Sequence, residues 1–120
     1  MFKKGIILNW DDYRSLWDDF AEVLSEMIKE LDREEIEKFL KNRKELEEWV
    51  KEQVIGLFDS ILEDNDVEAA IIDFGDKLHY VSDGEDFYNL SYEEGEISNV
   101  IEEYLEEELR RSVKRGRRRR

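Results

Sequence analysis

The stretch AAIIDFGDKLHYVSDGEDFYNL, residues 69–90, decides the fold class. In the sequence before it, apolar residues recur every three or four residues, as in a helix, whereas in this stretch they do not. Three runs rich in β-branched and aromatic residues are separated by the dipeptides Gly75-Asp76 and Asp83-Gly84. Such two-residue loops tolerate the positive φ angles that tight hairpins require. The stretch therefore predicts a three-stranded antiparallel meander.

Two-residue loops would also fix which side chains share a face of this sheet, because side chains alternate along a strand. One face is predicted to carry Ile71, Tyr80 and Phe87. The other is predicted to carry Ile72, His79 and Tyr88. A sheet that is apolar on both faces is either covered on both or presents one face to a partner.

The sequence before the meander predicts three helices joined by very short turns. Each begins at a capping pattern, in which a side-chain oxygen can accept from a backbone N–H three residues on: Asn9 with Asp12, Asp32 with Glu35, and Asn42 with Glu45. The first helix has an apolar stripe at alternating spacings of three and four residues, formed by Trp10, Tyr13, Trp17, Phe20, Leu24, Met27 and Leu31.

A last helix is predicted after the meander. Ser91 with Glu94 would cap it, and Gly116 would end it. Its core face would be formed by Ile97, Val100, Ile101, Tyr104, Leu105 and Leu109. The fold class is thus α+β in the order αααβββα: three N-terminal helices, a three-stranded antiparallel β-meander, and a C-terminal helix that runs into a basic tail.

The charges divide the chain into an acidic domain, residues 1–109, and an arginine-rich tail, residues 110–120. The whole chain has 33 acids, 19 bases and a net charge of −14. All 33 acids and 11 of the bases lie in residues 1–109, which gives that body a charge of −22. A body of this sign repels nucleic acid and attracts basic proteins.

The tail has the opposite preference. Glu106 and Glu107 precede Arg110 and Arg111 by four residues, which predicts ion pairs on a helix. Four consecutive arginines after Gly116 are explained by no local pairing and indicate a phosphate-rich partner. The candidate nucleic-acid-binding residues are Arg110, Arg111, Lys114, Arg115, Arg117, Arg118, Arg119 and Arg120. The alternatives are a nuclear-import signal, a contact with an anionic membrane, or a tail that folds back onto the acidic body.

A repeat in the first helix supports a different interpretation. Asp11 and Asp12 recur seven residues later as Asp18 and Asp19, about 10.5 Å along a helix axis. Rows of carboxylates at such spacing are similar to the charges of a nucleic-acid backbone, as in acidic inhibitors of restriction and CRISPR systems that mimic DNA. The competing interpretation is an ordinary solvated helix face.

The inventory of catalytic groups is small, and we expect no enzyme, no metal site and no cofactor. The chain has no cysteine and one histidine, His79. Catalysis by His79 would need a carboxylate neighbour, and Asp73 is predicted to lie on the opposite face of the sheet. The segment 64–75 resembles a calcium loop, but Ala69 replaces the turn glycine and Gly75 the bidentate glutamate. Carboxylates near the hairpins could bind Mg²⁺ but are also common turn formers: Asp73, Asp76, Asp83, Glu85 and Asp86.

The sequence thus predicts a non-enzymatic interaction protein in a nucleic-acid context, whose acidic body docks on a basic protein and whose tail contacts RNA or DNA. The first alternative is a nucleic-acid-mimicking inhibitor that uses Asp11, Asp12, Asp18 and Asp19. The second is a virion or scaffold component that forms a homo-oligomer through the stripe of residues 10–31. The absence of proline, the single glutamine (Gln53) and a charged fraction of 43% rich in Glu, Lys and Arg resemble the composition of thermophile proteins, in which ion pairs replace thermolabile amides. No membrane span is predicted, and we expect a cytoplasmic protein, or a virion protein if viral.

Overall fold

The computed structural model describes the backbone of residues 5–118 and the side chains of residues 5–114. The fold is α+β, with three strands and a predominance of helix. In chain order the elements are β1 (Gly5–Asn9), α1 (Trp10–Lys29), α2 (Arg33–Lys41), α3 (Arg43–Asp64), β2 (Ala69–Asp73), β3 (Leu78–Val81), α4 (Gly84–Glu93), α5 (Glu96–Val100), a π-helical segment (Ile101–Leu105) and α6 (Glu106–Arg118).

The sheet is mixed, so the predicted antiparallel meander is wrong. Its order is β1-β2-β3, with β1 parallel to β2 and β2 antiparallel to β3. Parallel strands require a long connection, and α1, α2 and α3 provide it. Strand β1 was not predicted, because it has only three consecutive apolar side chains and its partner lies far away in the sequence.

The hairpin between β2 and β3 was predicted correctly. Ile71 pairs with Tyr80 and Ile72 with His79, so these residues share faces as expected. Gly75 lies in the loop with a φ of 93°, a conformation that suits glycine.

The third predicted strand, DFYNL, is part of helix α4. Asp83, expected in a hairpin loop, is instead the N-cap, and its carboxylate accepts from the Asp86 N–H at 2.9 Å. Phe87 and Tyr88 therefore do not extend the faces of the sheet. Ser91, expected to cap the last helix, is buried inside α4. The spacing from Asp83 to Asp86 is compatible with a helix start as well as with the hairpin that Asp-Gly favours, so these residues alone do not decide between the two.

The three predicted N-cap residues are confirmed, although Asn42 bonds to Lys44 and not to the predicted Glu45. Asn9 and Asp12 form a reciprocal capping box at the start of α1. Asp32 accepts from the Glu35 N–H at 2.9 Å at the start of α2. Asn42 caps α3 by accepting from the Lys44 N–H at 3.0 Å.

The core is built around the apolar stripe of α1. Tyr13, Trp17, Phe20 and Leu24 are all buried in it, whereas Trp10 is 47% exposed. Because the central stripe residues pack inside the chain, they are not available for the predicted self-association. Two donors on this stripe share one acceptor: the Tyr13 hydroxyl and the Trp17 Nε1–H both donate to the Ser91 Oγ, at 2.9 and 3.0 Å.

The C-terminal helix continues from Glu96 through the π-helical segment to Arg118. Its predicted core residues are buried except Tyr104, which is 49% exposed. The π-helical segment contains Tyr104, and its wider turn changes the angular position of the residues it carries. Gly116, predicted to end the helix, lies within α6. An interior glycine costs about 1 kcal/mol of helix stability but does not by itself end a helix.

Replacement of Gly84 by alanine should lower the free energy of unfolding by about 1–3 kcal/mol, the usual cost of overpacking. A Cβ at this position would lie 2.3 Å from the backbone oxygen of Ile55, so α3 and α4 would have to separate. Gly56→Ala is the matched control, because a Cβ there meets nothing within 4 Å. It should stabilise α3 by up to about 1 kcal/mol. Urea unfolding of both variants measures the difference, and equal effects would contradict the close packing.

Replacement of Ser91 by alanine should lower the free energy of unfolding by about 1–3 kcal/mol, because it leaves the buried donors of Tyr13 and Trp17 without their acceptor. Ser98→Ala, at an exposed position of α5, is the control and should change little. Chemical denaturation followed by circular dichroism compares the two variants. A Ser91→Ala variant as stable as Ser98→Ala would mean that this shared acceptor contributes nothing.

Candidate interaction surfaces

The basic residues at the start of the tail pair with glutamates one turn earlier, as predicted. Arg110 lies 3.9 Å from Glu106, and Arg111 lies 3.1 Å from Glu107. Both arginine side chains are more than 60% exposed, and exposed pairs of this kind contribute only about 0.3–0.5 kcal/mol. Exchange of these glutamates for another anion would therefore cost little.

The other tail residues differ in what the structure describes. Lys114 is exposed, and within residues 5–114 no carboxylate forms an ion pair with it. The side chains of Arg115, Arg117, Arg118, Arg119 and Arg120 lie outside the described residues.

The two predicted carboxylate pairs lie on the exposed side of α1. Asp11, Asp12, Asp18 and Asp19 are all exposed, whereas the neighbouring aromatic residues Tyr13, Trp17 and Phe20 are buried. Asp12 already has a structural role, because it accepts from the Asn9 N–H at 3.1 Å in the capping box. Asp11 and Asp12 also suit the positive end of the helix dipole. Part of this acidic row is therefore explained by helix physics.

One face of the sheet, which we name the outer face, is apolar and solvent-accessible. It consists of Ile7, Ile71, Leu78 and Tyr80, aligned across the strands by the pairs Ile7 with Ile71 and Ile71 with Tyr80. Ile7, Leu78 and Tyr80 are each 69% exposed. The opposite face packs on the core through Ile6, Leu8, Ala70, Ile72 and Val81. The sheet is therefore not covered on both faces within the described residues, and presentation of the outer face to a partner stays a prediction.

A groove of about 440 Å³ lies where β1 and β2 end, and we name it the Trp10 groove. Asn9 pairs with Asp73 at the carboxyl ends of these parallel strands, so the next residues, Trp10 and Phe74, are brought together. Their rings meet edge to face, with centroids 5.3 Å apart and planes at 78°. The groove is lined by Trp10, Phe74, Asp76, Lys77, His79 and Glu94.

The sequence did not identify this groove, because Trp10 was assigned to the core stripe and strand β1 was not predicted. The available signal was position: Trp10 immediately follows the capping residue Asn9, in the first turn of α1. A large aromatic residue there lies at the end of the helix.

His79 lines the groove, and among residues 5–114 no carboxylate forms a hydrogen bond or ion pair with it. The His79 ring lies 5.2 Å from the Phe74 ring, and its Nε2 is buried with no hydrogen-bond partner among the described residues. Asp73, next to the residue that pairs with His79, is on the other face of the sheet. Its carboxylate accepts from the Gly75 N–H at 2.8 Å, which is a turn contact.

Two other carboxylates that were predicted near hairpins also have structural roles. Asp83 caps α4, and Asp86 accepts from the Ser82 hydroxyl at 2.7 Å. Within residues 5–114, no cluster of three or more potential metal-ligating side chains is found.

A semi-buried ion pair connects the start of α1 to the start of α5. The Arg14 guanidinium donates to Glu96, whose side chain is only 8% exposed. Burial raises the pKa of the Glu96 carboxyl above its ordinary value of 4.5, although the Arg14 charge acts in the opposite direction. The Arg14 guanidinium also lies over the Trp10 ring, 6.0 Å from its centroid.

The raised pKa of Glu96 has a defined effect on stability. The folded state keeps this proton to higher pH than the unfolded chain does, so the stabilisation is present below pH 4.5 and is lost as pH rises through the raised pKa. We expect the free energy of unfolding of the wild type, relative to Glu96→Gln, to decrease as pH rises from below 4.5 towards neutral. Denaturant unfolding across this range measures it, with the exposed Glu52→Gln as control. A difference that grows with pH would contradict the assignment.

Comparison with family models, with curated proteins and with solved structures finds no match to this chain. In the part of the chain that the structure describes, no helix is both long and apolar enough to cross a membrane. Its own surfaces are therefore the basis for assigning a function.

Proposed function

We propose that the chain is a non-enzymatic interaction protein in a nucleic-acid context. Its acidic body docks on a basic protein, and its C-terminal helix contacts RNA or DNA phosphates. The observation that carries the proposal is the continuity of the helical segment Glu96–Arg118, which links an acidic, core-packed start to a basic end.

The first argument concerns how this helix is held. Leu105 and Leu109 are fully buried, and Val113 packs against the core as a partly buried residue. Beyond Val113 the helix continues to Arg118, about 7.5 Å further at 1.5 Å per residue. An anchored helix positions its basic end at lower entropic cost than a flexible segment does, which favours binding.

The second argument is that the basic side chains of the tail can exchange their present partners for phosphates. Arg110 pairs with Glu106 and Arg111 with Glu107 through weak surface contacts. Arg111 also lies 4.0 Å from the buried Glu108, and Lys114 has no ion pair within residues 5–114. Phosphate oxygens accept bidentate bonds from guanidinium groups, and counterion release adds to the affinity. These contacts would hold nucleic acid without selecting its sequence.

The third argument concerns the body. Its charge of −22 attracts basic proteins at long range, and the exposed residues of the outer face supply apolar contact area. A stable protein interface buries about 800 Å² on each partner, and its centre is more apolar than its rim. The outer face would supply the apolar centre of such an interface.

The alternative, a nucleic-acid-mimicking inhibitor, is supported by the exposed carboxylates of Asp11, Asp18 and Asp19 on α1. Asp12 fits this role less well because its carboxylate is engaged in the capping box. An inhibitor of this type would bind a basic nuclease with or without the terminal arginines. The proposed adaptor would lose nucleic-acid binding without them.

Substitution of Arg117, Arg118, Arg119 and Arg120 by glutamine should weaken binding to RNA or duplex DNA by at least about tenfold at 50 mM salt and flatten the salt dependence. The control replaces four bases of the body, Lys29, Arg33, Lys38 and Lys41, by glutamine. Both variants carry a net charge of −18, because each loses four of the 19 bases against 33 acids. Fluorescence anisotropy of labelled RNA and DNA from about 50 to 200 mM salt measures the effect.

A result in which both variants lose the same affinity would show that only overall charge matters. Absence of binding by the unmodified chain at the lowest salt would overturn the nucleic-acid part of the proposal and favour the mimic.

A further inference from the structure

We propose that the Trp10 groove binds an arginine side chain of the basic protein on which the body docks. The inference rests on the proposed function and names the chemical group that the docking site recognises. It concerns the groove, a site distinct from the basic end of α6.

The rings of the groove provide surfaces for a flat cation. Trp10 and Phe74 meet nearly at right angles, and the Phe74 and His79 rings lie 5.2 Å apart with planes at 58°. A guanidinium can stack on one such ring while its edge faces another. Trp10 is 47% exposed although it belongs to a tight aromatic group with Tyr13 and Phe74, so part of its ring is left accessible to a partner.

The charges of the lining favour a cation over a phosphate. Two carboxylates, Asp76 and Glu94, face one base, Lys77. Both carboxylates are exposed, and within residues 5–114 neither forms an ion pair with a lysine or arginine. They remain able to accept from a guanidinium brought by a partner.

The chain itself provides an internal example of the same contact. The Arg14 guanidinium lies over the Trp10 ring while it pairs with Glu96. An arginine is thus already held at this indole by a ring and a carboxylate together. A second arginine, between the indole, Phe74 and Glu94, would use the same two kinds of contact.

Arginine fits the groove better than lysine does. A guanidinium is planar, weakly hydrated and able to form bidentate bonds with a carboxylate, whereas an ammonium is compact and strongly hydrated. The volume of about 440 Å³ lies within the range of ligand pockets, about 300–1,000 Å³, and leaves room for the backbone on either side of the arginine.

The groove also joins the outer face. Leu78, a member of the outer face, lies between Lys77 and His79 of the groove in the hairpin and is 69% exposed. A partner segment could therefore place an arginine in the groove and an apolar side chain against Leu78. This continuity makes the arginine a central contact of the docking surface.

The test uses the full chain and an acetylated, amidated peptide with two arginines separated by glycine, with the matched two-lysine peptide for comparison. Binding is followed by the amide and indole resonances in ¹⁵N NMR. We expect the arginine peptide to shift the Trp10 indole N–H and to bind at least about threefold more tightly than the lysine peptide. Trp10→Ala should weaken binding at least fivefold, about the strength of one cation–π contact.

Charge controls separate the groove from general attraction. The double variant Asp76→Asn with Glu94→Gln is compared with Glu22→Gln with Glu30→Gln, which replaces an exposed acid of α1 and the exposed residue at its C-cap, both more than a turn from Trp10. Each double variant changes the net charge by two. Only the groove pair should weaken binding by more than about threefold. Lys77→Gln should tighten binding of the arginine peptide, because it removes a like charge from the groove. If the groove bound phosphate, the same variant would weaken binding of its ligand. Thermal unfolding verifies that each variant is folded.

Three outcomes are decisive. Weakening confined to the groove variants, and unchanged when Arg117 to Arg120 are replaced by glutamine, supports the proposal and excludes the chain's own tail as the occupant. If the groove variants and the control variants bind both peptides equally well, the groove is not the arginine site, although the body still attracts bases. No binding of either peptide by the wild type overturns both the groove and the docking of basic partners.

Discussion

The ring of Phe87 is the contact on which the rest of the fold depends. It stacks on Phe58 of α3, with centroids 4.3 Å apart and planes at 9°, and on Trp17 of α1 at 5.7 Å and 18°. Three helices from distant parts of the sequence therefore meet at one side chain. Such aromatic pairs contribute about 0.5–1.5 kcal/mol each beyond the area that they bury. The close approach of Gly84 to Ile55 and the shared acceptor Ser91 both hold α4 where Phe87 can reach this position.

The parts of the fold that could be predicted are those determined by neighbouring residues. Asn9 with Asp12 and Asp32 with Glu35 define helix starts within four residues, and Gly75 with Asp76 defines a hairpin register. The residues of α4 were predicted as a strand because aromatic residues at 87 and 88 favour strands locally. They form a helix because this places Phe87 between α1 and α3. These contacts are with residues far away in the sequence, so no local pattern could predict them. Strand β1 was missed for the same reason, since its partner strand β2 is far away in the sequence.

The candidate surfaces also divide into those that local sequence predicts and those that depend on contacts between distant residues. The arginines of the tail and the aspartates of α1 could be read from the sequence because charge runs are local. Their pairs, such as Arg111 with Glu107, follow from helix spacing alone. The Trp10 groove could not be read, because it forms only when β1 and β2 pair and bring Trp10 beside Phe74. The solvent-accessible outer face required knowledge of which side of the sheet the helices cover.

The parallel pairing of β1 with β2 also sets an order of events during folding. Contacts within α1, α2 and α3 are local and can form early, whereas β1 can pair only after three helices and β2 have been synthesised. The groove therefore exists only once the sheet is complete. A ligand of the groove would bind the finished fold and not its precursors, and would shift the equilibrium towards the native chain in proportion to its concentration. Recognition at this site would thus act as a check on the completion of folding.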